Sequence, residues 1–238
     1  MSKIYLVNVG ANLKDKAKAR SPLFANGDFV FVPFPYAGAH TRPYPAKCEP
    51  FIRTTLETHD DPDWPNLTYG DDCANPRATA LKQVVKGDIL LFWARLWANA
   101  GNQWRHFTGQ SGWYMIGALH VSQILGGGEH PPNTRAARNI HFKDGPLPPT
   151  HRVFIGSRHV SGLFPKAVDL QIDQPPNGLA YQTIATAGGS PLPSTNLFKV
   201  FGSLRSCRCI WDLSVPSELQ QATIVRNEVQ RQTGYSLF

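Results

Sequence analysis

Four of the six tryptophans, Trp93, Trp97, Trp104 and Trp113, fall within 21 residues and are interleaved with Arg95, Asn102 and Arg105. Indole faces beside guanidinium groups suit the stacking of an unpaired or extruded base, each stack contributing roughly 1–3 kcal/mol. Trp93 and Trp113 stand in apolar runs, where core packing explains them equally well. Trp97 and Trp104 fall in a polar connection where no periodicity asks for burial. They are the stronger candidates, with His106 beside Arg105. A second set is Lys14-Asp-Lys16-Ala-Lys18-Ala-Arg20, positive at every second position with Asp15 its only acid. This run reads either as a solvated loop or as a phosphate-contacting segment, whose binding would weaken steeply with salt. Asn8 and Asn12 flank Gly10 where the first apolar run stops, and Ser21 opens the next turn. Amides there can pair bidentately with an adenine edge, or can simply serve the turn.

The common catalytic signatures are absent. There is no Gly-x-Ser-x-Gly elbow, no Gly-x-x-x-x-Gly-Lys-Ser/Thr loop, no His-Glu-x-x-His and no Gly-x-Gly-x-x-Gly. Eight histidines are scattered through the chain without His-x-His or helical i, i+4 spacing. They read as loop and strand-end residues. The four cysteines, Cys48, Cys73, Cys207 and Cys209, contain no Cys-x-x-Cys, and Cys207-Arg-Cys209 has the wrong spacing for a zinc knuckle. No metal site and no cofactor are therefore expected. If the chain is an enzyme, its acid/base candidates are Asp28, Asp88, His106 and His159. Asp88 reads more readily as half of a Gly-Asp turn.

These residues need elements to hold them. Residues 3–9 read as a buried strand stopped by Gly10, 21–27 as a turn with an Asn-Gly signal, and 28–32 as a second strand ended by Pro33 and Pro35. Residues 36–80 carry repeated proline, no clear period and an acidic stretch from Glu57 to Asp72, so they read as a loop-rich insertion. Strands are expected at 89–93, 113–121 and 152–155. A turn is expected at 161–168, with loops again from 171 to 200. The 214–232 segment reads as a helix capped by Ser214 or Ser217, with Leu219, Ala222, Val225 and Val229 on one face. The fold class expected is α+β: a single domain over 1–238 with a mixed β-sheet or small β-barrel, flanking helices and long Pro-rich loops.

Composition supports a real core, since 42% of the 238 residues are hydrophobic. The 20 prolines suit short elements joined by stiff loops. A net charge of +7 favours an anionic partner, nucleic acid being the commonest. No apolar run approaches the roughly 18 residues of a membrane span, and no export signal is visible at the start. A cytoplasmic protein with reduced thiols and no membrane partner is expected.

Three blocks resemble a known bacterial and phage family. They are Val7-Asn-Val-Gly-Ala-Asn12; Ser21-Pro-Leu-Phe-Ala-Asn-Gly-Asp-Phe29 with Val32-Pro-Phe-Pro35; and Phe154-Ile-Gly-Ser157 with Ser161-Gly-Leu-Phe-Pro-Lys-Ala167. The family is that of the nucleotide modification associated domains, most similar to the third type. Lys86-Gly-Asp-Ile-Leu-Leu-Phe-Trp93 followed by Met115-Ile-Gly-Ala-Leu-His-Val121 is also similar to the PUA-like barrels of EVE, ASCH and YTH domains. The long excursion before it and the segment after residue 170 do not match a minimal domain of that kind.

The resemblance implies association with modified bases in a DNA-modification or phage-defence context. The first expectation is a reader of a modified base or nucleotide, with DNA favoured over RNA as partner. Trp93, Trp97 and Trp104 would form its stacking pocket, with Asn8, Asn12, Ser21, Arg95, Arg105 and His106 around it. Lys14, Lys16, Lys18 and Arg20 would touch phosphate. The alternative is an enzyme of glycosylase or transferase type. A cleft holding buried, perturbed carboxylates or histidines would favour the enzyme, and an aromatic-walled pocket without them the reader. A third option is an interaction protein whose charge merely aids solubility.

Overall fold

The computed structural model describes residues 2–169 and 207–238. The loops expected at 171–200 lie outside the described residues. Eight strands are described: β1 (Lys3–Asn8), β2 (Ser21–Leu23), β3 (Thr68–Asp72), β4 (Ile89–Asn99), β5 (Phe107–Leu125), β6 (His151–Gly156), β7 (Gly162–Asp169) and β8 (Arg208–Asp212). The helices are the short α1 (Thr134–Ala137) and the long α2 (Pro216–Thr233). The fold is mixed α+β.

The main sheet runs β3–β6–β5–β4–β1–β8, with β2 beside β4 and β7 beside β5. β1 and β2 run parallel to β4, and the other pairings are antiparallel. The centre is buried on both faces, which explains the continuous apolar runs of β1 and β4. Ile4, Leu6, Ile89, Leu91, Trp93 and Met115 pack into one layer, while Tyr5, Val7, Leu90, Phe92, Leu96 and Tyr114 pack into the other. This alternation is the period-two geometry of a strand.

β5 is the element that bends the sheet. Residues from Phe107 to His120 pair with β4 and those from Val121 to Leu125 with β6, and register shifts interrupt it near Met115–Gly117 and Val121–Gln123. Such bulges increase twist and turn a strand. The curl brings β3 over the sheet centre, where the Tyr69 ring meets Phe92 of β4 edge-on at 5.3 Å. The sheet stays open: among the described residues β3 and β8 end it without pairing to each other. No helix described is long and apolar enough to cross a membrane.

Several local expectations are corrected. Residues 21–23 are a strand, whereas 28–32 contribute only a single bridge, Phe29 to Leu23. Pro33 and Pro35 cut that segment short by removing ladder donors. The segment read as a turn at 161–168 is strand β7, because Leu163 and Val168 pair with Gly117 and Met115 of β5. The 36–80 region includes β3. β4 continues through Asn99, so Trp97 sits in the sheet rather than in a connection. α2 starts on Pro216 after Val215, with no side-chain cap; Ala222, Val225 and Val229 are buried, but Leu219 is 40% exposed.

Candidate functional site

β1 ends at Asn8, and Gly10 takes the chain over the sheet end in a left-handed conformation with φ of 78°. A Cβ there would lie 2.9 Å from the Phe31 ring, so the turn needs glycine. Asn12 then opens a 3-10 turn over Leu13–Asp15: its backbone N–H donates to Asp15 Oδ2 at 3.0 Å, and its side-chain amide donates to Asn8 Oδ1 at 3.0 Å. Lys14 is carried on this turn. The result is one wall of a cavity of about 120 Å³ that is also lined by Tyr69, Gly70 and Asp71 of β3, by Arg77, and by His59, Asp61 and His141.

The deep end is polar and buried. Asp61 is 3% exposed and His141 5%. Asp61 Oδ2 accepts from the Gly70 N–H at 2.7 Å, and its Oδ1 accepts from the Asn139 amide at 3.4 Å. The same amide donates to Thr68 Oγ1 at 3.0 Å, and Asn139 Oδ1 accepts from the His141 N–H at 3.1 Å. Asn139 thereby ties His141 to Asp61. His141 Nε2 stands 3.3 Å from Asp61 Oδ2, yet neither nitrogen of this ring makes a hydrogen bond of ordinary geometry. Gly70 is needed for this packing, since a Cβ there would lie 2.2 Å from His141 Cδ2. His59 lies beside His141, ring centroids 5.0 Å apart, and its Nδ1 donates to the His40 carbonyl at 3.0 Å. His59, Asp61 and His141 each offer a ligand atom within 4.8 Å of the others, so among the described residues they form a set able to hold a metal ion.

Burial controls the charge here. It pushes the Asp61 carboxyl up to about 8 and lowers both His59 and His141, so the imidazoles are neutral near pH 7. Burial also raises Asp60 to about 6, against the opposing pull of Arg42. On the facing wall the Tyr69 hydroxyl donates to Asp71 Oδ2 at 2.6 Å, and the half-exposed Arg77 reaches the same oxygen at 3.3 Å. Lys14 and Arg77 are the cations lining the cavity.

The residues singled out from sequence are dispersed by the fold. Asn8, Asn12 and Lys14 line the cavity. Ser21 is fully buried and trades hydrogen bonds with the Val32 backbone, a structural duty. Trp93, Arg95 and Trp97 are each 3% exposed. They offer no face to an inserted base: Trp93 packs on Trp113 at 4.5 Å, and Arg95 covers Trp113 at 4.8 Å while donating to Ser111 Oγ at 2.7 Å. Trp104 is half-buried on the 3-10 turn Trp104–His106, away from the cavity lining, with Arg20 at 4.7 Å and Arg53 at 5.0 Å over its ring. Arg105 is exposed and donates to His106 Nε2 at 3.3 Å. Lys16 and Lys18 are exposed beyond Lys14.

The acid/base candidates fall elsewhere too. Asp28 pairs with Lys166 at 2.6 Å, Asp88 is fully buried and accepts from the Lys3 and Val85 N–H groups, and His159 is exposed. All four cysteines are free thiols.

A model of nucleotide modification associated domain 3 matches residues 3–180. The chain belongs to this family. No curated protein and no solved structure matches it. In this nucleotide modification associated domain, the block Val7–Asn12 supplies one cavity wall, the 21–29 block forms β2 and its turn, and the 161–167 block lies in β7. The family ties the protein to nucleotide modification.

His59, Asp61, Tyr69, Asp71, Arg77 and His141 escaped the sequence reading. The one local signal was His59-Asp60-Asp61, two potential ligands separated by one residue inside the acidic stretch. His141 lies 80 residues further on, and nothing in the sequence joins it to them.

Proposed function

We propose that this domain is an enzyme that binds a nucleotide, or nucleic acid carrying a modified base, and acts on it in the cavity at the end of β1. The observation that carries this reading is the convergence of Asp61, His59 and His141 at the deep end of a polar cleft. Buried ionisable groups are unfavourable unless paired. A site that only reads a base needs hydrogen-bonding groups and a stacking wall, not three such side chains gathered from segments 80 residues apart. The cavity is smaller than the roughly 300–1,000 Å³ of sites for drug-sized ligands. It takes a base edge or a substituent, leaving the phosphates at the mouth near Lys14 and Arg77.

A second reading keeps nucleic-acid recognition in view. Arg20 and Arg53 over Trp104 make a cationic, partly open aromatic surface, and Lys16 and Lys18 lie on the segment leading to it. This surface suits a backbone or an unpaired base outside the cavity. DNA, in a modification or phage-defence setting, is the polymer we favour from the family.

The test is incubation with a panel of nucleotides and single- and double-stranded oligonucleotides, bearing unmodified and modified bases, followed by mass spectrometry of the products. The account expects a mass change on one member, lost in Arg77→Ala and Asp61→Asn while both variants keep the wild-type far-UV circular dichroism. Tight binding to a modified oligonucleotide with no product under any condition would replace the enzyme with the reader.

A further inference from the structure

We infer that His59, Asp61 and His141 bind one divalent transition-metal cation, whose remaining coordination positions face the cavity. This deepens the proposed function by naming a cofactor class at the same site, and rests on that reading only for what the open positions do.

The ligand set and its spacing come first. Two imidazoles and one carboxylate form the three-ligand pattern that leaves positions free for water or substrate, as in catalytic rather than structural sites. With metal–ligand bonds of about 2.0–2.2 Å, tetrahedral donor atoms stand roughly 3.4 Å apart. The three ligand atoms here lie within 4.8 Å of one another, and His141 Nε2 and Asp61 Oδ2 are already at 3.3 Å. A small contraction closes the set.

Hydrogen bonding supplies the independent observation. His141 is 5% exposed, and its ring nitrogens make no well-aligned hydrogen bond: the polar groups beside them are Asp61 Oδ2, 3.3 Å from Nε2, and the Gly70 backbone. A buried imidazole in that condition is unfavourable, and a cation shared with Asp61 removes the defect. The outer contacts are those that orient ligands. His59 Nδ1 faces the His40 carbonyl at 3.0 Å, and since a carbonyl only accepts, the proton sits on Nδ1 and the Nε2 lone pair is left for a metal. Asp61 is held by the Gly70 N–H and the Asn139 amide, and Asn139 also positions His141 through its backbone. The imidazole donors favour zinc, iron, cobalt or nickel over magnesium or calcium.

The experiment uses the full chain, freed of metal with a chelator and dialysed. Cobalt(II) is titrated while visible absorption is followed, and zinc(II) is titrated by calorimetry. The expected result is about one ion per chain, with cobalt bands displaced by zinc, in keeping with the order of metal affinities. Asp61→Asn and His141→Ala should lose the site, and His59→Gln provides a variant in a less buried position. Asn139→Ala should weaken binding by about 10–100-fold, whereas His106→Ala should leave it unchanged. Far-UV circular dichroism identifies any variant that fails to fold, which is then set aside in favour of the others. Absence of ion uptake by the wild-type chain, or equal uptake by folded Asp61→Asn and His59→Gln variants, would overturn the inference. Turnover without metal uptake would sink the metal and spare the enzyme reading; metal uptake without turnover on any substrate would do the reverse.

Discussion

The tryptophan-rich hairpin of β4 and β5 and the histidine-lined cavity between β1 and β3 make opposite use of residues that carry chemistry. In the hairpin, Trp93, Arg95, Trp97 and Trp113 are close in sequence and look like a stacking site. The fold buries the first three to 3% exposure each and gives Arg95 the Ser111 hydroxyl and the Trp113 ring as partners within the core. In the cavity, His59 and Asp61 stand two residues apart but His141 lies 80 residues further on, yet all three meet within 4.8 Å at the end of a polar cleft. Density of reactive residue types along a chain therefore says less about a site than convergence of distant ones. A strand buried on both faces can absorb tryptophan and even arginine as packing material: the Trp93 face of β4 shares a cluster with Ala222, Val225 and Val229 of α2, and Tyr69 lies against Phe92 on the other face.

The largest expected effect separates packing from function. Trp97→Ala removes a buried indole from β4 and should lower stability by about 3–5 kcal/mol in a chemical denaturation curve. The folded fraction should bind nucleotide as the wild type does; lost affinity at full folding would return Trp97 to the site.

Gly70→Ala comes next and acts on the cavity. Its Cβ would lie 2.2 Å from His141 Cδ2, so overpacking should destabilise by about 1–3 kcal/mol. Turnover should fall more than stability explains, because His141 is pushed from Asp61. Unchanged turnover would remove His141 from the working set.

Trp104→Ala probes the surface platform, with little effect on stability. If Arg20, Arg53 and Trp104 hold a base or backbone outside the cavity, oligonucleotide binding should weaken by about 1–3 kcal/mol, with mononucleotide binding unaltered. Equal anisotropy curves for wild type and variant would limit recognition to the cavity.

The smallest effect concerns a half-buried imidazole outside the cavity. Burial lowers His120 on β5 to about 4, below the unfolded value near 6.5. Its folded pKa is depressed, so its contribution is fully present above about pH 6.5 and is lost as pH falls towards 4. His120→Gln should flatten that part of the melting-temperature profile without touching turnover. Retention of the wild-type slope would show that His120 is not buried as described.

The central architecture was legible because local pattern and final burial agree there. The apolar run 3–9 became β1, 89–93 seeded β4, and Asn8, Asn12 and Lys14 reached the cavity because strand ends carry loops. The C-terminal helix was visible through Ala222, Val225 and Val229, whereas Leu219 was misplaced because α2 turns it outward in its first turn. β3 was hidden in an acidic, glycine-containing stretch, Thr68–Asp72, that only pairing with β6 makes a strand. The site was least legible. Its deep end depends on β5 bending far enough to bring β3 back over the sheet, and on a lone Asn139 linking His141 to Asp61. Neither the bend nor the link has a sequence period.

The most direct test of the cavity against the hairpin is hydrogen exchange by mass spectrometry, with and without a nucleotide or oligonucleotide that binds. The account predicts slowed exchange in the segments around Asn8–Lys14, His59–Asp61, Tyr69–Asp71 and Asn139–His141, with Trp93–Trp97 unchanged. Slowing confined to the β4–β5 hairpin, with those four segments exchanging as in the free protein, would contradict it.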